Sequence, residues 1–225
     1  MLKLDMSSFG PYYSPLIDKE FEIIPGKNPC FFSFESADDL SSILQRPNRF
    51  FLEMGTHNSL SISLAAILIQ KPDFALCMTT ASAYRASLAH LIASNLNLRF
   101  GLQNQKSLHI QTCLQEAIIN AIVHGNLSID SDFSTLTGFD SYHSLIDLRL
   151  RQAPYQHRRV SIAAWDHETH LQIAVTDQGT GYKLPEGQKN DELPHGRGLT
   201  LIQALSDRCW VGDNRRTLFM HFNYR

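Results

Sequence analysis

A chain of 225 residues, 43% hydrophobic and 19% charged, can bury the core of one good domain with an extension or of two small domains, and is not a disordered polymer. Its formal net charge is −2, and no basic cluster is longer than the pairs Arg158–Arg159 and Arg215–Arg216. That argues against nucleic acid as the main partner, because phosphate backbones require a concentrated basic surface.

The N-terminal "MLKLDMSSFGPYYSP" lacks the apolar stretch of a signal peptide, and residues 1–30 read as an extended arm. "RFFLEMG" predicts a short strand, and "SLSISLAAILIQ" a helix closed by Lys71-Pro72. The apolar run at 60–69 is too short to span a bilayer, so no membrane partner is expected. "FALCMTT" (74–80) predicts a buried strand, and "SAYRASLAHLIASNLNL" (82–98) a helix stopped by Gly101. A second helix from about Lys106 to His124 is expected to end on the cap pair Gly125-Asn126.

A longer insert, about 127–159, starts with a Ser/Asp-rich stretch and carries a helical "YHSLIDLRLRQ" and a turn "APYQHRR". "RRVSIAAW" and "HLQIAVTD" alternate like adjacent strands. A Gly-rich loop spans 178–198, "LTLIQALSD" predicts a helix, and "CWVGDNRRTLFMHFNYR" a hairpin. This order favours an α+β fold, a two-layer α/β sandwich with a mixed, mostly antiparallel sheet and helices on one face. Residues 74–225 would form it, preceded by an N-terminal α/β extension of unknown role, residues 1–73. Cys30, Cys77, Cys113 and Cys209 are widely spread with no CxxC or metal spacing, which suits reduced thiols and a cytoplasmic location.

The stretch "LQEAIINAIVHGN" (114–126) is the first to suggest chemistry. Ile110, Leu114, Ala117, Ile118 and Ala121 share one helical stripe, the core face, while Glu116, Asn120 and His124 stack four apart along another. Ile119 and Val123 flank that polar row, so its acid and amide face a cavity, where an unpartnered carboxylate would cost several kcal/mol, roughly. A hydrated hard cation such as Mg²⁺ would satisfy both oxygens. The pair alone leaves open a helix whose Glu and Asn cap neighbouring loops. "LQIAVTDQGTGY" ends a strand in D-x-G-x-G, delivering Asp177 to the sheet edge with Gly179 and Gly181 allowing close backbone approach to a flat ligand. In "HGRGLTLIQ", Gly196 and Gly198 precede a helix whose first N–H groups make an anion site, and Arg197 adds a charge-assisted donor.

Together these segments resemble the Bergerat-fold ATPases, the superfamily of gyrase and histidine kinases. "EAIINAIVHGN" looks like the N-box, "DQGTG" like the first glycine box and "HGRGLTLI" like the second, over roughly 74–225. Within the superfamily, "EAxxNAxxHGN" and a short lid look most like the anti-sigma-factor serine/threonine kinases. The resemblance implies ATP and Mg²⁺ as cofactors: Asn120 would hold the metal and Glu116 would act as general base. Asp177 would accept the adenine amino group, and Gly179 and Gly181 would shape its pocket. Gly196, Arg197, Gly198 and Leu199 would approach the phosphates, with 182–195 as a lid. His124 would either contact ligand or close the helix end by hydrogen bonds, and Thr217 would help fix the adenine, although Arg215 and Arg216 stand where relatives tend to have glycines.

The implied function is regulatory: binding Mg-ATP and phosphorylating or sequestering a protein partner, such as a sigma factor or anti-sigma-factor antagonist, with homodimerisation expected. The alternatives are a non-catalytic nucleotide-sensing module and the catalytic half of a split histidine kinase. No dimerising helical hairpin with a phospho-histidine candidate precedes the domain, which places the last reading behind the others.

Overall fold

A computed structural model of the chain describes residues 29–54, 70–129, 139–182 and 197–224. Its strands are β1 (Cys30–Phe32), β2 (Phe50–Glu53), β3 (Phe74–Thr79), β4 (Arg159–Asp166), β5 (His170–Thr176), β6 (Arg208–Val211) and β7 (Thr217–Asn223). Among the described residues these form one sheet in the order β1-β2-β3-β4-β5-β7-β6. At the N-terminal edge β1 pairs in parallel with β2 and β2 in parallel with β3, whereas every pairing from β3 through β6 is antiparallel.

The alternation along each strand decides where the core sits. Phe74, Leu76 and Met78 of β3, Val160 and Ile162 of β4, Ile173 and Val175 of β5, and Met220 and Phe222 of β7 all enter one large apolar cluster. The intervening Ala75, Ala163, Trp165 and Ala174 face the other way and form a small second cluster with Phe50 and Phe219. The helices cover the first face. Among the described residues they are α1 (Ala37–Leu44), α2 (Thr80–Arg85), α3 (Leu88–Phe100), α4 (Asn104–Ile119), α5 (Phe139–Arg151), α6 (Ala153–Gln156) and α7 (Arg197–Leu205). Leu40 and Leu44, Ile92 and Leu96, Ile110 and Leu114, Ile146, and Leu199 and Ile202 belong to the same buried cluster as the inward strand residues. The α+β sandwich with helices on one face is therefore what the alternation predicts.

Several elements differ from the sequence expectations. Strand β1 and helix α1 come from a stretch in which no element was expected; α1 starts at a Ser36 cap whose side chain accepts from the Asp39 N–H. Arg99 of α3 ties it down by donating to the carbonyls of Leu44 (3.1 Å) and Arg46 (2.9 Å). The helix expected over 82–98 is two helices, because Ser87 adopts the left-handed conformation (φ 48°) between α2 and α3. No glycine or proline announces that break. Gly101 does stop α3 in the left-handed region (φ 64°), with its N–H on the Asn97 carbonyl. The helix expected at 59–70 lies almost wholly outside the described residues. None of the described helices is long and apolar enough to cross a membrane.

Ser87 is exposed and its side chain caps nothing. A left-handed non-glycine residue carries a strain of about 1–2 kcal/mol, partly offset by the extra freedom of glycine in the unfolded chain. Ser87→Gly should therefore stabilise the fold by about 0.5–1 kcal/mol in denaturant unfolding. An unchanged or lowered midpoint would refute the strain.

Candidate functional site

Three separated segments converge beside the end of β5: the last turns of α4, the loop after β5, and the first turn of α7. The stripe Ile110, Leu114, Ala117 and Ile118 is buried, and Ala121 continues it, so α4 is anchored on its predicted face. Glu116 and Asn120 lie half-buried on the neighbouring stripe. At Asn120 the helix widens into a π-helical turn, Asn120–Asn126, and the Leu127 N–H reaches back to the Ile122 carbonyl at 2.8 Å. Such turns are rare and often occur at functional sites.

The expected Gly125-Asn126 cap is thus corrected, since the positive φ falls on Ser128 (54°) instead. His124 is exposed, with Nδ1 2.6 Å from the Ile129 carbonyl. A carbonyl only accepts, so Nδ1 carries the proton and the imidazole closes the end of the helix.

Gly125 explains the widened turn. A Cβ built there would lie 2.5 Å from Asp177 Cγ, so the helix backbone rests directly on the carboxylate. A side chain on Gly179 would in turn overlap the Gly125 backbone. The loop after β5 and the end of α4 are in backbone contact, and only glycine fits on either side. Gly181 has φ +88°, a conformation left to glycine, and the Tyr182 N–H donates to the Arg215 carbonyl beside it at 2.6 Å.

The second convergence is at α7. A Cβ on Gly198 would meet Glu116 Oε2 at 2.5 Å and Asn120 Nδ2 at 3.5 Å. The acid, the amide and the first turn of α7 therefore line one place. Arg197 opens α7 and is exposed, while Leu199 is buried and helps seat the helix on the core. Gly196 lies outside the described residues, as does the expected lid except for Tyr182.

Asp177 is buried at 3% exposure, and among the described residues its side chain accepts from the Gly179 N–H at 2.7 Å. A carboxylate can accept about four hydrogen bonds, so capacity for a ligand amino group remains. Burial pushes the carboxyl up to about 6, against the opposing pull of the Gly179 bond and of Arg216 and Arg158. Thr217 is one rung away: its hydroxyl pairs with Thr176 at 3.0 Å and accepts from Asn214 Nδ2 at 3.0 Å.

Asn126 was expected only as half of a cap. It is fully buried, donates to Thr80 Oγ1 (2.9 Å) and the Arg159 carbonyl (3.1 Å), and accepts the Gln178 N–H at 2.7 Å. The sequence signal for it was its place in "HGN", which a cap explained equally well.

Two predictions follow from these contacts. Asp177 ionises at 3.8 in its ordinary state and at about 6 when folded, so the unfolded chain loses its proton first. Wild type thereby loses stability as pH rises between those values, whereas Asp177→Asn does not. The ligand-free variant should match wild type at pH 3.5, roughly, and exceed it above pH 6.5, by at most about 3 kcal/mol. A pH-independent difference would remove the burial argument. Second, Gly179→Ala must move backbone and should lower Tm by several degrees, roughly, whereas Gly198→Ala pushes only the flexible end of Glu116 and should leave Tm within about 2 degrees.

No curated protein matches the chain. Residues 79–222, however, match the histidine kinase-like ATPase domain family, and that span holds every element of the convergence described above. The buried acid with spare acceptor capacity, the glycines that admit close approach, and the acid–amide pair at a helix start are a fitting donor set for a magnesium nucleotide. The chain belongs to the histidine kinase-like ATPase domain family and carries an ATP-binding fold.

Proposed function

We propose that the protein is an ATP-dependent serine/threonine kinase of the anti-sigma-factor type, which binds Mg-ATP and phosphorylates or sequesters a protein partner. That partner is a sigma factor or an anti-sigma-factor antagonist, and the protein acts as a homodimer in the bacterial cytoplasm. The observation that carries the reading is the position of Glu116, whose Oε2 lies against Gly198 at the start of α7 with the Asn120 amide beside it. A module that only sensed nucleotide would gain nothing from a carboxylate there.

In this reading Asp177 accepts the adenine amino group, and its buried setting makes a base without that donor costly by about 1–3 kcal/mol. Gly179 and Gly181 keep the wall of the base pocket flat. The first N–H groups of α7, with Arg197, favour the phosphates. Asn120 offers an oxygen to the metal. When bound, Mg-ATP supplies the phosphoryl group and neutralises its charge. Glu116 accepts the proton of the attacking hydroxyl, and its half-buried place keeps it close to the helix start. Phosphoryl transfer rests on positioning and charge more than on covalent help, so this short set of residues suffices.

The test mixes labelled ATP, Mg²⁺ and candidate partners with wild type and two variants. Glu116→Ala should keep nucleotide affinity within a few-fold and lose about 10²–10⁴ in transfer rate. Asn120→Ala should lose the Mg²⁺-dependent part of the affinity. Unimpaired transfer by Glu116→Ala would end the base role. Nucleotide-dependent partner release without transfer in wild type would favour the sensing module instead.

A further inference from the structure

Glu53 ends β2, outside the matched span 79–222, and its carboxylate is buried at 7% exposure. A buried carboxylate is tolerated only where donors meet it. Here the Thr79 N–H donates to Oε2 at 2.6 Å and the Ser82 hydroxyl to Oε1 at 2.5 Å. Arg159 Nη1 donates to the Glu53 carbonyl at 2.9 Å. The carboxylate therefore clamps the junction between β3 and α2, and the backbone beside it holds the start of β4.

These bonds continue to the site. Thr80, next to Thr79, accepts from Asn126 Nδ2 at 2.9 Å. Asn126 Oδ1 accepts the Gln178 N–H at 2.7 Å, and Gln178 Oε1 accepts the Arg159 N–H at 2.8 Å. The circuit closes on Glu53 through the Arg159 guanidinium. It touches both walls of the proposed base pocket, because Asn126 follows Gly125 and Gln178 lies between Asp177 and Gly179. Thr80 and Asn126 are 0% exposed and Ser82 is 4%, so water cannot substitute for a missing member at these points.

We infer that Glu53 is a positioning residue for the base pocket: through Thr79–Thr80, Asn126 and Gln178 it sets where Asp177 stands. The inference rests on the proposed role of Asp177 in adenine recognition. It gives the N-terminal strands a function, since β2 carries the group that fixes the loop recognising the base.

The experiment measures affinity for ATP and for inosine triphosphate, which has a carbonyl where adenine has its amino group, together with amide exchange of Gln178 in ligand-free protein. Wild type should prefer ATP, and Asp177→Asn should abolish the preference. Glu53→Gln and Asn126→Ser should each lower the ATP-to-inosine-triphosphate affinity ratio about three- to tenfold and hasten Gln178 exchange, as loss of a supporting shell does. Their double variant should lose little more than the worse single one. Leu52→Ala, a buried change on the same strand, should lower Tm without moving the ratio. If Glu53→Gln does not fold, Glu53→Asp, which keeps the charge but draws it back, should show the same loss. An unchanged ratio in the Glu53 and Asn126 variants, with Asp177→Asn behaving as stated, overturns the coupling alone. A wild type without preference, or one that Asp177→Asn leaves intact, overturns the base-pocket reading and the coupling with it.

Discussion

The arrangement depends on one steric constraint, the direct contact of two backbones at Gly125 and Gly179. Atoms of a packed interior sit at van der Waals distance, so a methyl group at either glycine would have to push one segment away from the other. Because nothing intervenes, the helix end and the strand end share one position, and Asp177 is sealed between them. Burial of that acid, the lifted proton affinity of its carboxyl and the remaining acceptor capacity all follow from the same contact. Gly198 adds a second close approach on the next stripe of the helix, and the acid–amide pair is brought to α7 by it.

The periodic parts of the fold were legible before any coordinates. A 3.6-residue period marked the buried stripe of α4, and a two-residue period marked β4 and β5, because each element buries one face against the same core. Gly101 was legible because a left-handed position without a side-chain penalty has few solutions. Ser87 was not, since the same conformation on a serine is imposed by the packing of α2 and α3 and leaves no mark in composition. Strand β1 and helix α1 are too short to establish a period, and Arg99, 55 residues onward in the sequence from Leu44, holds the end of α1 in place.

Within the candidate site, Glu116 and Asn120 could be singled out by their mismatch with an ordinary helix surface. The residues that tie the converging segments together could not. Asn126 satisfies a cap motif and a tertiary network equally well, and only the bonds to Thr80, Arg159 and Gln178 separate the two. Glu53 sits in a short apolar strand with no chemical motif around it, and its partners lie 26 and 29 residues onward. The parallel pairing of β2 with β3 makes that encounter possible, so topology supplies what local sequence does not carry.

The π-helical turn also limits how this chain can vary in length. A turn of that kind holds about one residue more than an α-helical turn, and each residue in a helix advances the side-chain direction by about 100°. The widened turn already holds that extra residue, so inserting one more between Asn120 and Gly125 would swing the glycine off the carboxylate and turn Asn126 away from Thr80. The segment can accept many exchanges of side chain on its outer surface while tolerating no further lengthening.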